Sequence, residues 1–296
     1  MKKDFSKCMP IVLRYEGGWS NDKRDPGGVT LEGIIQRVYD GYRGRKGLPR
    51  KALTPQMRNT PEWIAERNEI YRIQYWNAIR GDELPTGVDL VLFDSAINSG
   101  PFQAIKWLQR ALGMPDCDGH LGVSTMDALE RHQDTPGLIA DICARRLGML
   151  QHLSTWDEFG EGWTKRVANL KAIGQAWAAA DHAAAPAPVE AHEEGGHAKG
   201  YASDVAQPTV DAGDAVKTGV GSGALGGTLD AVKNQIEPLA YSSDWLMKIF
   251  TALTVISVLL GLAALGYSMW ASRKTKRAQR AIDGDILAEV PEGQPA

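Results

Sequence analysis

The sequence predicts an α+β fold, mainly α-helical, carried by roughly the first 177 residues, and three observations point to it. Apolar residues recur at three- and four-residue spacing in one segment after another, which is the period of a helix with one buried face. Strand-like sequence is confined to a short glycine-rich stretch around Thr30–Ile35. Beyond Ala178 the composition turns to Ala, Gly, Pro, His and acidic residues, too poor in apolar side chains to build a core.

The first helix leads through Ile11, Val12, Leu13 and Tyr15 to Glu16, with Pro10 marking its start or a kink. The helix over Pro61–Arg72 has Thr60 as a natural N-cap and proline at its first position, where the missing N–H costs nothing. Val88–Ile97, Pro101–Leu112, Ser124–Arg131 and Gly137–Ser154 are further helices, Ser124 being a favoured cap residue. About 170 residues suffice for a real core.

Charge divides the chain the same way. Residues 1–177 carry 24 Lys+Arg against 22 Asp+Glu, residues 178–244 carry 3 against 10, and residues 245–296 carry 6 against 4. A near-neutral globular part is joined through an acidic spacer to a short tail, and nothing favours a nucleic-acid partner, which calls for a strongly basic domain. Arg37, Arg43, Arg45, Lys46, Arg50 and Lys51 form a basic cluster. It reads as a solvated loop, or as an attraction for anionic polymers. Cys8, Cys117 and Cys143 have neither metal spacing nor an even count, so they read as free thiols.

Residues 178–244 read as a disordered linker with a reach of ~40–50 Å. Within it, His192-Glu193-Glu194-Gly195-Gly196-His197 has the outline of a zinc-protease motif. One residue too many separates the histidines, and the glycines oppose the helix that would align them, so no metal site is expected. Residues 249–271 carry no charge and read as a membrane-spanning helix, with Trp245, Tyr267 and Trp270 as its aromatic belts. Arg273, Lys274, Lys276, Arg277 and Arg280 follow, which predicts a single-pass inner-membrane protein with a cytoplasmic C-terminus and the globular part on the periplasmic side. The first residues have no apolar signal region, so the sequence offers no route for that translocation.

The richest stretch is Glu16-Gly17-Gly18, then Asp25, then Gly27-Gly28-Val29-Thr30-Leu31-Glu32-Gly33-Ile34. Glycoside hydrolysis needs one protonated carboxyl for the leaving oxygen and a second polar group to handle water or positive charge across the sugar ring. Glycines let the backbone turn sharply and approach a bulky substrate. Each piece also has a plainer reading, Glu-Gly-Gly as a helix end and Asp25-Pro26-Gly27-Gly28 as a turn. The two together, followed by Thr and Gly-Ile, favour the catalytic one.

These residues resemble glycoside hydrolase family 108, a lysozyme-like group of phage endolysins and secretion-associated muramidases. The resemblance runs through Tyr71–Trp76 and Phe93-Asp94-Ser95-Ala96-Ile97-Asn98-Ser99-Gly100. From about Pro101 to Lys171 the chain looks like the peptidoglycan-binding domain that usually follows, on Leu108-Gln109-Arg110-Ala111-Leu112-Gly113 and Asp118-Gly119-x-x-Gly122-x-x-Thr125. The resemblance covers about residues 5–175 and implies a lysozyme-like catalytic domain at 1–100 and a helical peptidoglycan-binding region at 101–177; composition and charge add the linker at 178–244, the transmembrane helix at 245–271 and a basic tail at 272–296.

In that reading Glu16 protonates the glycosidic oxygen, its pKa raised by apolar neighbours. Asp25 stays ionised and positions water or stabilises the oxocarbenium-like transition state, with Asp22 as its rival. Thr30 hydrogen-bonds the same water, or is a helix cap. Trp19 is placed to stack on a sugar or is a partly buried packing residue, Gly28 lets the backbone approach the substrate, and Asp118 and Gly119 line a wall-binding groove or form a turn. Two carboxyls suffice for this chemistry, so no metal or other cofactor is expected. The implied activity is cleavage of the β-1,4 bond between N-acetylmuramic acid and N-acetylglucosamine in peptidoglycan strands, for phage-type lysis with a holin or an export system as partner. Wall remodelling for secretion, or an inactive wall-to-membrane tether, are the alternatives.

Overall fold

The computed structural model describes residues 4–21, 28–179, 199–206 and 244–293. They divide into two compact units, one of residues 1–205 with 281–296 and one of residues 206–280.

The first unit is helical around a small ribbon. Helix α1 (Phe5–Leu13) leads into the strands β1 (Trp19–Ser20), β2 (Thr30–Leu31) and β3 (Ile34–Ile35), followed by α2 (Gln36–Arg45) and α3 (Pro61–Tyr71). Then come α4 (Val88–Ser99), α5 (Pro101–Ala111), α6 (Val123–Arg131), α7 (Thr135–Leu150) and α8 (Trp156–Ala179). The ribbon is antiparallel in the order β1-β2-β3, with Trp19 opposite Leu31 and Leu31 opposite Ile34. Strands β2 and β3 fall where the sequence placed them. Strand β1 had no signal of its own, because two residues cannot show a period.

Local rules explain most of the helix ends. Thr60 Oγ1 accepts from Trp63 N at 3.2 Å, capping α3 above Pro61 as expected. Helix α6 starts one residue before Ser124 and is capped from Gly122, and α7 starts at Thr135 under an Asp134 side-chain cap on Gly137 N. Pro10 sits inside α1 rather than opening it, on the exposed face. Helix α3 runs on into a wider turn, Arg72–Trp76, closed by Asn77 N donating to Arg72 O at 2.8 Å. Such widened turns often mark functional sites.

Every residue of α4 is buried, including Asp89, Asp94, Ser95 and Asn98. It is the axle of the unit, packed by α1, α5, α7, α8 and the turn after α3. Phe93 on α4 gathers Phe5, Tyr71 and Trp76 at ring distances of 5.7, 6.5 and 5.3 Å, tying the first, third and fourth helices together. Such aromatic pairs contribute about 0.5–1.5 kcal/mol each beyond burial. The expected boundary at 100/101 falls at Gly100 between α4 and α5, inside this single unit.

Two segments expected to be free of the globular part belong to it. Lys199–Val205 lies in the first unit, with Val205 bridged antiparallel to Leu153 and Ser154 N donating to Asp204 O at 3.1 Å. Most of the rest of the linker, residues 180–198 and 207–243, lies outside the described residues, and so does the His192–His197 motif. The C-terminal segment 281–293 returns to the same unit. Gln103 donates to Ile282 O at 2.8 Å, Arg145 to Gly284 O at 2.6 Å, Ala288 N to Ala144 O at 3.0 Å and Lys171 to Val290 O at 3.1 Å. Arg110 also pairs with Asp285 at 3.0 Å.

That return corrects the membrane reading. The second unit holds most of helix α9 (Asp244–Ile282), whose side chains at 244, 246–247, 249–250, 253–254 and 257 lie outside the described ones. Among the described residues no helix is long and apolar enough to cross a membrane, so the single-pass inner-membrane placement is overturned. Topology gives the physical reason. A single pass would put residues 272–296 across a bilayer from Glu16, whereas 282–290 are hydrogen-bonded to the unit that contains Glu16.

The basic cluster is not a free anionic-polymer site either. Arg43 is buried against Glu66 at 2.6 Å, Lys51 pairs with Glu62 at 2.6 Å, Arg50 with Asp40 and Lys46 with Glu69. Most of the cluster's charge is therefore neutralised by α2 and α3. Cys8 and Cys143 are buried thiols and Cys117 is half-buried.

Candidate active site

Glu16 follows the last turn of α1, its N–H donating to Leu13 O at 3.4 Å. It is 5% exposed. The chain then opens into β1, and β2 and β3 fold back beside it as a hairpin closed by Glu32-Gly33. Both of these residues have positive φ, 46° and 77°, as a two-residue turn between right-twisted strands requires. Gly33 must be glycine for a second reason. A Cβ there would stand 2.5 Å from Tyr71 Oη and 2.7 Å from Glu16 Oε2. The hairpin backbone thus presses directly on the Glu16 carboxylate.

Glu32 pins the hairpin to α3. Its carboxylate accepts from Trp63 Nε1 at 2.7 Å, Arg67 Nη1 at 2.7 Å and Arg58 Nε at 3.3 Å, while Tyr71 Oη donates to its backbone carbonyl at 2.8 Å. Four bonds hold a residue in a backbone conformation that only glycine adopts freely. Sequence reading had quoted Glu32 inside the motif and given it no role.

The Glu16 side chain is held by charge from the far half of the unit. Arg166 on α8 donates through Nη2 to Glu16 Oε1 at 2.9 Å, and its guanidinium lies 5.0 Å from the centre of the Tyr15 ring. The same guanidinium grips Asp94 of α4 at 2.6 and 3.0 Å, and Arg146 of α7 reaches Asp94 Oδ2 at 2.7 Å. The second oxygen, Glu16 Oε2, is ion-paired with Lys199. The side chains of Glu16, Asp94, Arg146 and Arg166 are each no more than 1% exposed.

This network reverses one expectation. Burial does push the Glu16 pKa up, but the Lys199 ammonium and the Arg166 guanidinium outweigh it, and the carboxyl is held below its ordinary 4.5. Burial likewise favours the neutral form of Asp94, and Arg166 and Arg146 override it, holding that carboxyl below 3.8. Burial first, and then the negative charge of Glu16, raises the pKa of the Tyr71, Tyr75 and Tyr201 phenols.

Trp19 and Thr30 lie on the same ribbon, Trp19 opposite Leu31 and Thr30 opposite Ser20. Trp19 is 37% exposed, open enough for a ring to meet a ligand. Thr30 Oγ1 donates to Gly28 O at 3.1 Å, closing its own loop rather than capping a helix. Asp22 and Asp25 lie outside the described residues. Asp118 and Gly119 build a turn on α5. Asp118 Oδ1 accepts from Gln109 Nε2 at 2.7 Å and His120 N at 2.9 Å, and Gly119 N donates to Gln109 Oε1 at 2.9 Å.

A buried central helix, a three-stranded ribbon and a carboxylate sequestered between them define a lysozyme-like α+β hydrolase. Comparison with known proteins agrees. Residues 9–100 match the family model described as glycosyl hydrolase 108. The chain is similar to the solved structure of Brucella abortus SagA, 36% identical, covering 60% of this chain and 97% of that one, with a TM-score of 0.50. No curated protein matches. The chain belongs to glycosyl hydrolase family 108 and is thereby a glycoside hydrolase acting on peptidoglycan. The matched segment ends at residue 100, just past α4, so Arg146, Arg166 and Lys199, the three cations that pair with Glu16 and Asp94, lie beyond it.

Proposed function

We propose that this chain is an N-acetylmuramidase cleaving the β-1,4 bond between N-acetylmuramic acid and N-acetylglucosamine, with Glu16 as the general acid. The observation that carries the reading is the Glu16 carboxylate itself. It is buried just past α1, against the turn position that only Gly33 can fill, in the family whose substrate is peptidoglycan. A buried carboxyl with a removable cation beside it can take up a proton and deliver it to a leaving oxygen, because desolvation favours the neutral acid.

In this reading Asp25 supplies the second carboxylate and Thr30, on the ribbon, helps to place water. Trp19 offers an exposed ring for a sugar face, and Gly28 gives the backbone room beside it. Asp118 and Gly119 belong to a wall-binding loop carried by α5 and α6, with the 101–177 helices holding the glycan strand. The biological role is wall lysis of the phage type, reached with a holin or an export route. The test is reducing-end release from purified peptidoglycan by the full chain and by Glu16→Gln. Muramic-acid reducing ends from the unaltered chain alone support the reading. Binding without new ends from either protein favours a wall-binding tether.

A further inference from the structure

Glu16 has two carboxylate oxygens, and both are occupied by cations. Arg166 takes Oε1 from within the core, where it is shared with Asp94 and cannot leave without exposing two buried charges. Lys199 takes Oε2 and comes from Lys199–Val205, a stretch within the acidic part of the sequence, rather than from one of the helices that build the core. Its side chain is 27% exposed, whereas that of Arg166 is 0% exposed. One cation is part of the scaffold; the other arrives from outside it.

The segment is fitted to its seat. Gly200 is buried, its N–H donates to Asn98 O at 3.0 Å at the end of α4, and any Cβ there would stand 2.5 Å from Leu150 Cδ2 and 2.8 Å from Leu153 Cδ1. Val205 is 3% exposed and bridges Leu153, while Ser154 N donates to Asp204 O at 3.1 Å. A short turn over Ala202–Asp204 keeps these two anchors at a fixed separation. Lys199 is thereby delivered to the carboxylate by a docked strap.

A general acid must present a protonated oxygen to the glycosidic bond. With Lys199 on Oε2 and Arg166 on Oε1, no oxygen of Glu16 is open to a substrate, and two adjacent positive charges favour the carboxylate over the acid. We propose that Lys199–Val205 is an intramolecular inhibitor whose lysine stoppers the Glu16 carboxylate, and that the hydrolase acts only in molecules where this strap has left its seat. The inference rests on the muramidase reading for its chemistry but concerns a segment outside the family match. Activity is then limited by the fraction of unstrapped molecules, so weakening the strap raises the rate in proportion to that fraction.

The experiment compares the full chain with two full-length variants. Lys199→Met keeps the length of the side chain without its charge, and Gly200→Val forces the strap off Leu150 and Leu153 while leaving the lysine side chain itself unaltered. The initial rate of reducing-end release from purified peptidoglycan is expected to rise about tenfold or more in both. Adding Glu16→Gln to either should abolish it. If the unaltered chain releases reducing ends in a Glu16-dependent way and neither variant is faster, the strap proposal is overturned and the hydrolase stands. A slower Lys199→Met would mean that the lysine serves the acid, and overturns it equally. If no variant releases any ends, the muramidase reading fails, and binding of a soluble chitotetraose probe decides the strap. Tighter binding by both variants supports a strap over the site, and unchanged binding overturns it.

Discussion

Arg166 is the residue whose removal should cost most, and the cost can be worked from its contacts. Its side chain is 0% exposed, it grips Asp94 at 2.6 and 3.0 Å, and it reaches Glu16 at 2.9 Å. Arg166→Met keeps most of the volume and deletes the charge, leaving two buried carboxylates each short of a partner. Breaking a buried ion pair from one side costs about 3–5 kcal/mol. Asp94 retains Arg146 at 2.7 Å and Glu16 retains Lys199, so the low end, about 3 kcal/mol, is expected. For a unit of this size that is about 6–12 °C in Tm. Urea unfolding of the full chain, followed by far-ultraviolet circular dichroism, measures it directly. The double variant Arg166→Met with Asp94→Leu removes one orphaned charge and should lose less than the sum of the two single variants, with a coupling of about 1–3 kcal/mol. A loss below about 1 kcal/mol for Arg166→Met would refute the claim that α8 completes the site electrostatically, since only exposed pairs are that weak.

Gly33→Ala should cost about 1–2 kcal/mol from the left-handed backbone alone. Its methyl also displaces Glu16 or Tyr71, so kcat on peptidoglycan should fall on the order of 10- to 100-fold, and full activity in this variant would contradict the close approach. Glu32→Gln, which faces three donors with an amide, should lose about 1.5–3 kcal/mol in urea unfolding. Acid should destabilise the fold through Asp94 and Glu16. Both are held below their ordinary 3.8 and 4.5, so their contribution is fully present above about pH 4.5 and drains as pH falls through the folded values. Urea midpoints measured from pH 6 down to pH 3 should show this fall, and Asp94→Asn should flatten it.

The turns and ribbon of the loop were legible because their residues are neighbours in sequence. Glu16, the glycines and Thr30 lie within 15 residues, and each carries a local preference for a cap, a turn or a strand. Thr60 capping α3 was legible for the same reason. What could not be read were pairings that only folding creates. Arg166 stands 150 residues from Glu16 and Asp94 stands 72 from Arg166, and no spacing rule links them. Lys199 was hidden by its setting, a lone lysine in an acidic, glycine-rich stretch whose composition says linker, while two small anchors, Gly200 and Val205, were enough to dock it. Glu32 was in plain view, but its worth depends on Trp63 and Arg67 facing it from α3. The apolar run at 249–271 was equally plain. The return of Asp283–Val290 onto α5, α7 and α8 was not, because it rests on backbone carbonyls that any sequence possesses.

That return puts the chain on both sides of residues 206–280 in the first unit. Residues 206–280 leave the first unit at Val205 and rejoin it at Ala281, so they form an insertion with two moorings rather than a trailing end. A single backbone cut between 207 and 243 would therefore not liberate the C-terminal piece. Its residues 282–290 would still be clasped by Gln103, Arg110, Arg145 and Lys171, and the nicked halves would behave as a non-covalent pair.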